Sequence, residues 1–211
     1  MATYEQIHPG YSAIGRGGAA CDVRLATVNR IARLMAGNGA GLARIHRISN
    51  RGVELSSTLD LPIGKGVRLD LSETISAEAT VTSRDNKRYD LAFGHDISCA
   101  MLLRQLVAEA RSSRARPLRL NTSSLTAAGA SPEGAQQLRI ENISQRGMKV
   151  RHDGTFHEGL PIRIQLPNGR ECRGLVRWTR LDDAGVQLID ILSVDELGDL
   201  NRLSEPSCRQ N

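Results

Sequence analysis

The sequence predicts a mainly β protein made of two tandem small antiparallel β-barrels, each followed by a C-terminal α-helix. Three observations carry this expectation. The chain repeats itself at an offset of 95 residues, apolar residues alternate with a period of two inside each copy, and Gly-, Asn- and Asp-containing breaks separate the apolar runs at hairpin spacing.

The repeat is densest where residues 44–55, RIHRISNRGVEL, lie over residues 139–150, RIENISQRGMKV, with six identities in twelve positions. Without a gap, the same offset pairs Arg24 with Arg119, Leu25 with Leu120, Gly64 with Gly159, Val67 with Ile162, Leu69 with Ile164, Val81 with Val176 and Ser98 with Ser193. A one-residue slip in a strand sends every inward side chain to the opposite face, so a register held this long implies matching strands and turns. It divides the chain into a flexible tail over 1–21, a first barrel with its helix over 22–112, a second over 113–204 and a short tail over 205–211. A chain of 211 residues also suits two domains of about 100 residues each.

Half-buried strands are expected at Val53–Leu55, Val67–Leu71 and Leu91–Phe93, and again at Met148–Val150, Ile162–Leu166 and Val186–Leu188. The breaks between them are LPIGKG, SRDNKR, HEGLP, PNGRE and DDAG. A helix is expected over residues 98–113 with Met101, Leu102, Leu106 and Val107 as its apolar face. A second should start at Ser193, where S-V-D-E forms a capping box. Both should pack on their own barrel. Residues 121–137, NTSSLTAAGASPEGAQQ, are poor in large apolar residues and read as surface loop.

Hydrophobic residues make up 40% of the chain but aromatic ones only 3%, so the cores should consist of Leu, Ile, Val and Ala, and Trp178 stands out. The net charge of +5 favours anionic partners. Four cysteines, Cys21, Cys99, Cys172 and Cys208, form no C-x-x-C pair and do not cluster with histidines, which predicts reduced thiols without zinc or disulfides. The N-terminus has no signal-peptide pattern and no run of 18 apolar residues occurs, so a soluble cytoplasmic protein without a membrane span is expected. His152 and His157 lack a third ligand and read as surface residues, and Asp182-Asp183 reads as a turn cap rather than an acid catalyst. No Ser-His-Asp order, phosphate-binding loop or dinucleotide fingerprint appears, so the chain is not read as an enzyme and no cofactor is expected.

One segment carries chemistry. Asn142-Ile143-Ser144-Gln145-Arg146-Gly147 joins an incoming strand, Leu138–Ile140, to an outgoing one, Met148–Val150. Asn142 and Ser144 can brace the corner or present hydrogen-bonding groups outward, while Gly147 would supply a left-handed backbone conformation. Upstream, the connector carries Arg111, Arg114, Arg116 and Arg119. Guanidinium groups fork onto phosphates and stack on purine faces, so connector and corner together could hold one anion.

On these residues the chain resembles the PilZ family, receptors for the bacterial second messenger cyclic di-GMP, over both repeats. Its pattern is R-x-x-x-R on an N-terminal linker followed by [D/N]-x-S-x-x-G, and Asn142, Ser144 and Gly147 match the second part. Val176-Arg177-Trp178 and Gly185–Leu188 look like the family's late barrel strands, mostly as core signals. The resemblance implies that linker arginines clasp phosphates and stack on guanines while the Asn and Ser contact a guanine. It makes Arg114, Arg116, Arg119, Asn142, Ser144 and Gly147 the candidate site, with Arg116 and Arg119 as the phosphate pair. The connector arginines are spaced by three, two and three residues, never four. In the first copy Arg47 stands at the amide position, where a guanidinium can only donate, which predicts a degenerate, non-binding barrel.

The implied function is a cyclic di-GMP receptor regulating motility, biofilm or surface-associated behaviour, in which ligand orders the connector and changes the angle between the barrels. Its protein partner would belong to motility, pilus or polysaccharide machinery. The competing reading is a ligand-independent protein-interaction module. Nucleic-acid binding ranks below both, because the few aromatic residues are not interleaved with Arg and Lys.

Overall fold

The alternating segments close into two antiparallel barrels of six strands each. The computed structural model describes residues 26–37, 39–112, 116–122 and 124–205, so the expected N-terminal tail and residues 206–211 lie outside the described residues. In the first barrel β1 (Ala26–Ala36), β2 (Gly39–Ile48), β3 (Gly52–Ser56), β4 (Gly66–Asp70), β5 (Ser76–Asp85) and β6 (Arg88–Phe93) close in the order β1-β2-β3-β6-β5-β4. Helix α1 (Cys99–Arg111) follows. The second copy contains β7 (Leu120–Asn121), β8 (Thr126–Ser131), β9 (Gly134–Ser144), β10 (Gly147–Arg151), β11 (Pro161–Gln165), β12 (Glu171–Arg180) and β13 (Asp183–Leu188), followed by α2 (Leu200–Ser204). Its ring runs β8-β9-β10-β13-β12-β11, and β7 adds to β9 from the side.

The two registers coincide at the repeat offset. Val53 faces Leu91 as Met148 faces Val186, and the β5–β6 bulge at Val81–Ser83 recurs in β12–β13 at Val176–Trp178. The hairpin turns match as well, since Asn86 and Leu181 occupy corresponding places and both have φ of 54°. Asparagine tolerates this left-handed conformation, whereas a bulky leucine is strained in it. Leu181 is also 89% exposed, so no packing offsets the strain.

Three local expectations are corrected. Residues 121–137 are not a surface loop: β8 and the start of β9 form a hairpin with Leu125, Ala127 and Leu138 buried. Its inward position at Gly129 is small because the Leu138 side chain fills the space beside it. A Cβ on Gly129 would lie 2.6 Å from Leu138 Cδ1, and small residues do not register as an apolar run. Helix α1 buries Cys99 and Leu106 with Leu102 and Leu103 packed beside them, while Met101 and Val107 are exposed. Cysteine acts here as a small hydrophobe and moves the i, i+3, i+4, i+7 stripe off the expected one. Finally, the capping box at Ser193 forms, with Glu196 accepting from the Ser193 N–H at 2.8 Å and Ser193 Oγ from the Glu196 N–H at 3.1 Å, yet it heads a single turn. The chain breaks at Gly198, and Asp199 caps α2 instead.

The reason for that break is the contact between the barrels. Gly198 lies against Gly41 of β2 so closely that a Cβ on Gly41 would sit 1.9 Å from the Gly198 carbonyl oxygen. Next to it the Leu42 N–H donates to the Leu197 carbonyl at 2.8 Å. Leu42 is 1% exposed and belongs to the core of the second barrel, beside Leu197, Leu200 and Leu203. Helix α2 therefore packs across the junction, against β2, rather than on its own barrel alone.

His152 is not a surface residue: it is 7% exposed, stacks on Phe156 at 4.7 Å, and accepts the Gly154 N–H at Nδ1. Cys99 and Cys172 are free and buried, and burial pushes the Cys172 thiol up to about 11. Cys21 and Cys208 lie outside the described residues. No described helix is long and apolar enough to cross a membrane.

Two outcomes test this architecture. Gly41→Ala should lower the thermal midpoint and loosen the inter-barrel contact in solution scattering, whereas Gly66→Ala, where a Cβ meets nothing within 4 Å, should leave both unchanged; equal effects would place the tight contact elsewhere. Leu181→Asn should raise stability by about 1 kcal/mol in denaturant unfolding, since it removes left-handed strain without removing a buried side chain.

Candidate functional site

The corner between β9 and β10 is held by its own side chain. Ser144 is 2% exposed and its Oγ donates to the Gly147 carbonyl at 3.1 Å. In the first copy Ser49 Oγ makes the same bond to Gly52 at 3.2 Å and also accepts the Gly52 N–H at 3.1 Å. The serine is thus a turn-builder in both copies. Gly147 has no left-handed backbone; a Cβ there would lie 2.9 Å from the Val186 carbonyl oxygen. Glycine is required by the close approach of β13, and Gly52 faces Leu91 in the same way at 2.3 Å.

Strand β7 brings the connector to this corner. Leu120 pairs with Ile143 and Asn121 with Asn142, and Leu120 is fully buried in the second core. Arg119, one residue earlier, therefore lies beside Asn142, and its Nη1 donates to Asn142 Oδ1 at 3.4 Å. From there a shallow cleft of about 180 Å³ extends over Arg119, Arg146, Lys149, Arg177, Trp178 and Gln187.

Trp178 was expected to serve the core, but it is 42% exposed and its indole lies over Gly185. A Cβ at residue 185 would come 2.0 Å from Trp178 Nε1, so the glycine makes the space in which the ring lies flat against the sheet. Arg177 Nε donates to Gln187 Oε1 at 2.6 Å. Lys149 is held by Asp183 at 2.7 Å and Glu141 at 2.5 Å; these hydrogen bonds raise its pKa, and Lys149 in turn lowers that of Asp183. Among the described residues no carboxylate pairs with Arg119, Arg146 or Arg177, so their charge is available to an incoming anion. Cationic forks around an exposed indole suit a ligand that carries phosphate together with a flat ring.

The structure brings together Arg119, Asn142, Ser144 and Gly147. Arg114 lies outside the described residues. Arg116 lines a different cleft of about 470 Å³ between the barrels, with Arg30, Leu71, Glu109, Leu118 and Gln145. Sequence reasoning missed Arg146, Lys149 and Arg177 as cleft residues. The alternation of side chains along β10 and β12 carries that signal for Lys149 and Arg177, which flank buried Met148 and Val176 and must face outward, whereas Arg146 lies in the turn before β10, where alternation gives no signal.

The corresponding face of the first barrel has opposite chemistry. Arg47 is paired with Glu54, which also receives Arg88 Nη1 at 3.0 Å, and Glu54 stands at the place of Lys149. Ser83 and Asp90, joined at 2.6 Å, stand where Trp178 and Gly185 are. Carboxylates replace the cation and the ring platform. No group of three or more His, Cys, Asp or Glu among the described residues could hold a metal ion.

None of the curated proteins compared with the chain matches it. Among solved structures it is similar to PlzA of Borreliella burgdorferi in complex with c-di-GMP, with 13% identity, 78% of this chain and 83% of that chain covered, and a TM-score of 0.37. It is also similar to the inhibitor of motility MotI of Bacillus subtilis, with 16% identity, coverage of 83% and 95%, and a TM-score of 0.32. For YcgR from Escherichia coli in complex with c-di-GMP the identity is 12%, the coverage 78% and 76%, and the TM-score 0.29. Residues 111–205, the segment that holds the connector, the Asn142–Gly147 corner and the cationic cleft, match the family described as PilZ domain.

Proposed function

We propose that the chain is a cyclic di-GMP receptor whose binding unit is the second barrel with its connector, residues 113–204. The observation that carries this reading is the Arg119 guanidinium lying against Asn142 Oδ1 within the segment that matches the PilZ domain. In this reading Arg119 clasps a phosphate and Asn142 receives a guanine edge. Ser144 and Gly147 shape the corner, Arg146 and Arg177 add positive charge, and Trp178 offers a stacking face. Arg116, which lines the separate cleft between the barrels, is left out of this site, and Arg114 lies outside the described residues. The first barrel, residues 22–112, is a non-binding copy because Arg47 stands in place of the amide and is engaged by Glu54, and Asp90 stands in place of the glycine under the ring. The chain acts by binding rather than by catalysis, in the cytoplasm where such a messenger is made, and its output is control of motility, biofilm or surface-associated behaviour through a component of that machinery.

A second reading, a ligand-independent interaction module, is favoured by one observation: Leu181, Ile189 and Ile191 are all at least half exposed on the second barrel. Apolar side chains outside any core suit a protein contact.

Calorimetry of the intact chain with cyclic di-GMP decides between them. Saturable heat is expected, weakened at least tenfold by Asn142→Ala or by Arg119→Ala, since each removes a hydrogen bond to a charged or buried group. Arg47→Ala, in the first barrel, should bind as wild type. Absence of heat from the intact chain, or undiminished binding by Asn142→Ala with Ser144→Ala, would rule the receptor out and leave the interaction module.

A further inference from the structure

We propose that the first barrel serves as the anchor of the ligand-binding arm of the second, and that Arg33 is the positioning residue through which it does so. This rests on the receptor reading above and adds a role for the copy that has no site of its own.

Arg33 lies on β1 opposite Asp70 of β4. Its Nε donates to Asp70 Oδ2 at 2.8 Å, and its Nη1 donates to the backbone carbonyl of Arg119 at 2.7 Å. Asp70 is 2% exposed, and its other oxygen accepts from Arg68 Nε at 2.9 Å. A carboxylate buried to this degree must keep its partners, so the guanidinium is fixed at one edge and presents the other to the connector. The planar fork makes both bonds at once, which a lysine ammonium on a flexible stem would not hold in this geometry.

The residue that receives this bond is the one that matters for the site. The Arg119 carbonyl accepts from Arg33, the next residue is held by the Leu120–Ile143 pairing, and the Arg119 side chain reaches Asn142. Fixing the peptide unit that joins Arg119 to Leu120 from two sides directs the guanidinium into the cleft before ligand arrives.

The repeat supplies an independent argument. In the second barrel the positions corresponding to Arg33 and Asp70 are Ala128 and Gln165, which face each other across β8 and β11 in the same register. Closing this barrel therefore does not require an Arg–Asp pair. The pair is present only in the copy whose β1 faces the connector, where Nη1 of Arg33 meets the Arg119 carbonyl at 2.7 Å and lies 3.6 Å from Glu73 Oε1. Arg33 thus does for the connector what barrel closure alone does not.

The test is calorimetry with cyclic di-GMP on the full chain as wild type, Arg33→Gln, Arg33→Lys, Arg119→Ala and the Arg33→Lys/Arg119→Ala double variant. Arg33→Lys keeps a cation against Asp70 and is the deciding variant should Arg33→Gln unfold. Both Arg33 variants should bind about tenfold more weakly, the loss expected for a hydrogen bond from a charged donor. Because Arg33 acts through Arg119, the double variant should bind no more weakly than Arg119→Ala alone. Additive losses, wild-type affinity in both Arg33 variants, or full rescue by lysine would each overturn the anchor while leaving the receptor intact. No heat from the wild type would instead remove the receptor reading and the anchor with it.

Discussion

Two residues of the connector, Leu120 and Asn121, lie antiparallel to Ile143 and Asn142, and the candidate site depends on that short pairing. Leu120 is fully buried, so the pairing is secured by a side chain in the core and not by two ladder bonds alone. Without it, Arg119 would be one of several arginines on a surface segment. With it, a guanidinium stands beside the Asn142 amide, and the cationic cleft acquires the edge that faces the first barrel.

The two copies show how little of a barrel's chemistry is decided by its scaffold. Strand order, bulges and the serine-closed corner recur at the same offset, and glycine is required at residues 52 and 147 by the same approach of a neighbouring strand. The outward positions are free of these constraints. In the first copy they carry Arg47, Glu54, Ser83 and Asp90, which pair with one another; in the second they carry Asn142, Trp178 and Gly185, with Arg146 and Arg177 beside them, which leave a ring and positive charge facing solvent. An inward position answers to packing, an outward one only to what it meets.

The junction between the barrels breaks the repeat in a consistent way. Leu42 leaves its own barrel's core for the other's, Gly41 and Gly198 meet at backbone distance, and Arg33 reaches across to the Arg119 carbonyl. These contacts join an apolar plug, a steric fit and a charge-assisted hydrogen bond on one side of the first barrel. They make the first copy a support for the connector as well as a folding unit.

By itself, the sequence determined the inward faces of β3, β4, β6, β10, β11 and β13, the register of one copy on the other, the tandem arrangement and the corner at Asn142–Gly147, because alternation in one chain states which face of each strand turns inward. It could not reveal the β8–β9 hairpin, whose inward residues are too small to stand out, nor the shifted face of α1, where a cysteine joins the apolar stripe. Tertiary structure alone decided which body buries Leu42, that Trp178 lies open over Gly185, that Arg116 faces a separate cleft, and that Gly147 answers to a neighbouring carbonyl rather than to a left-handed turn. Periodicity is a property of a single strand and reports only inside or outside. What waits on the inside, or comes near from the outside, is set by segments far away in the chain.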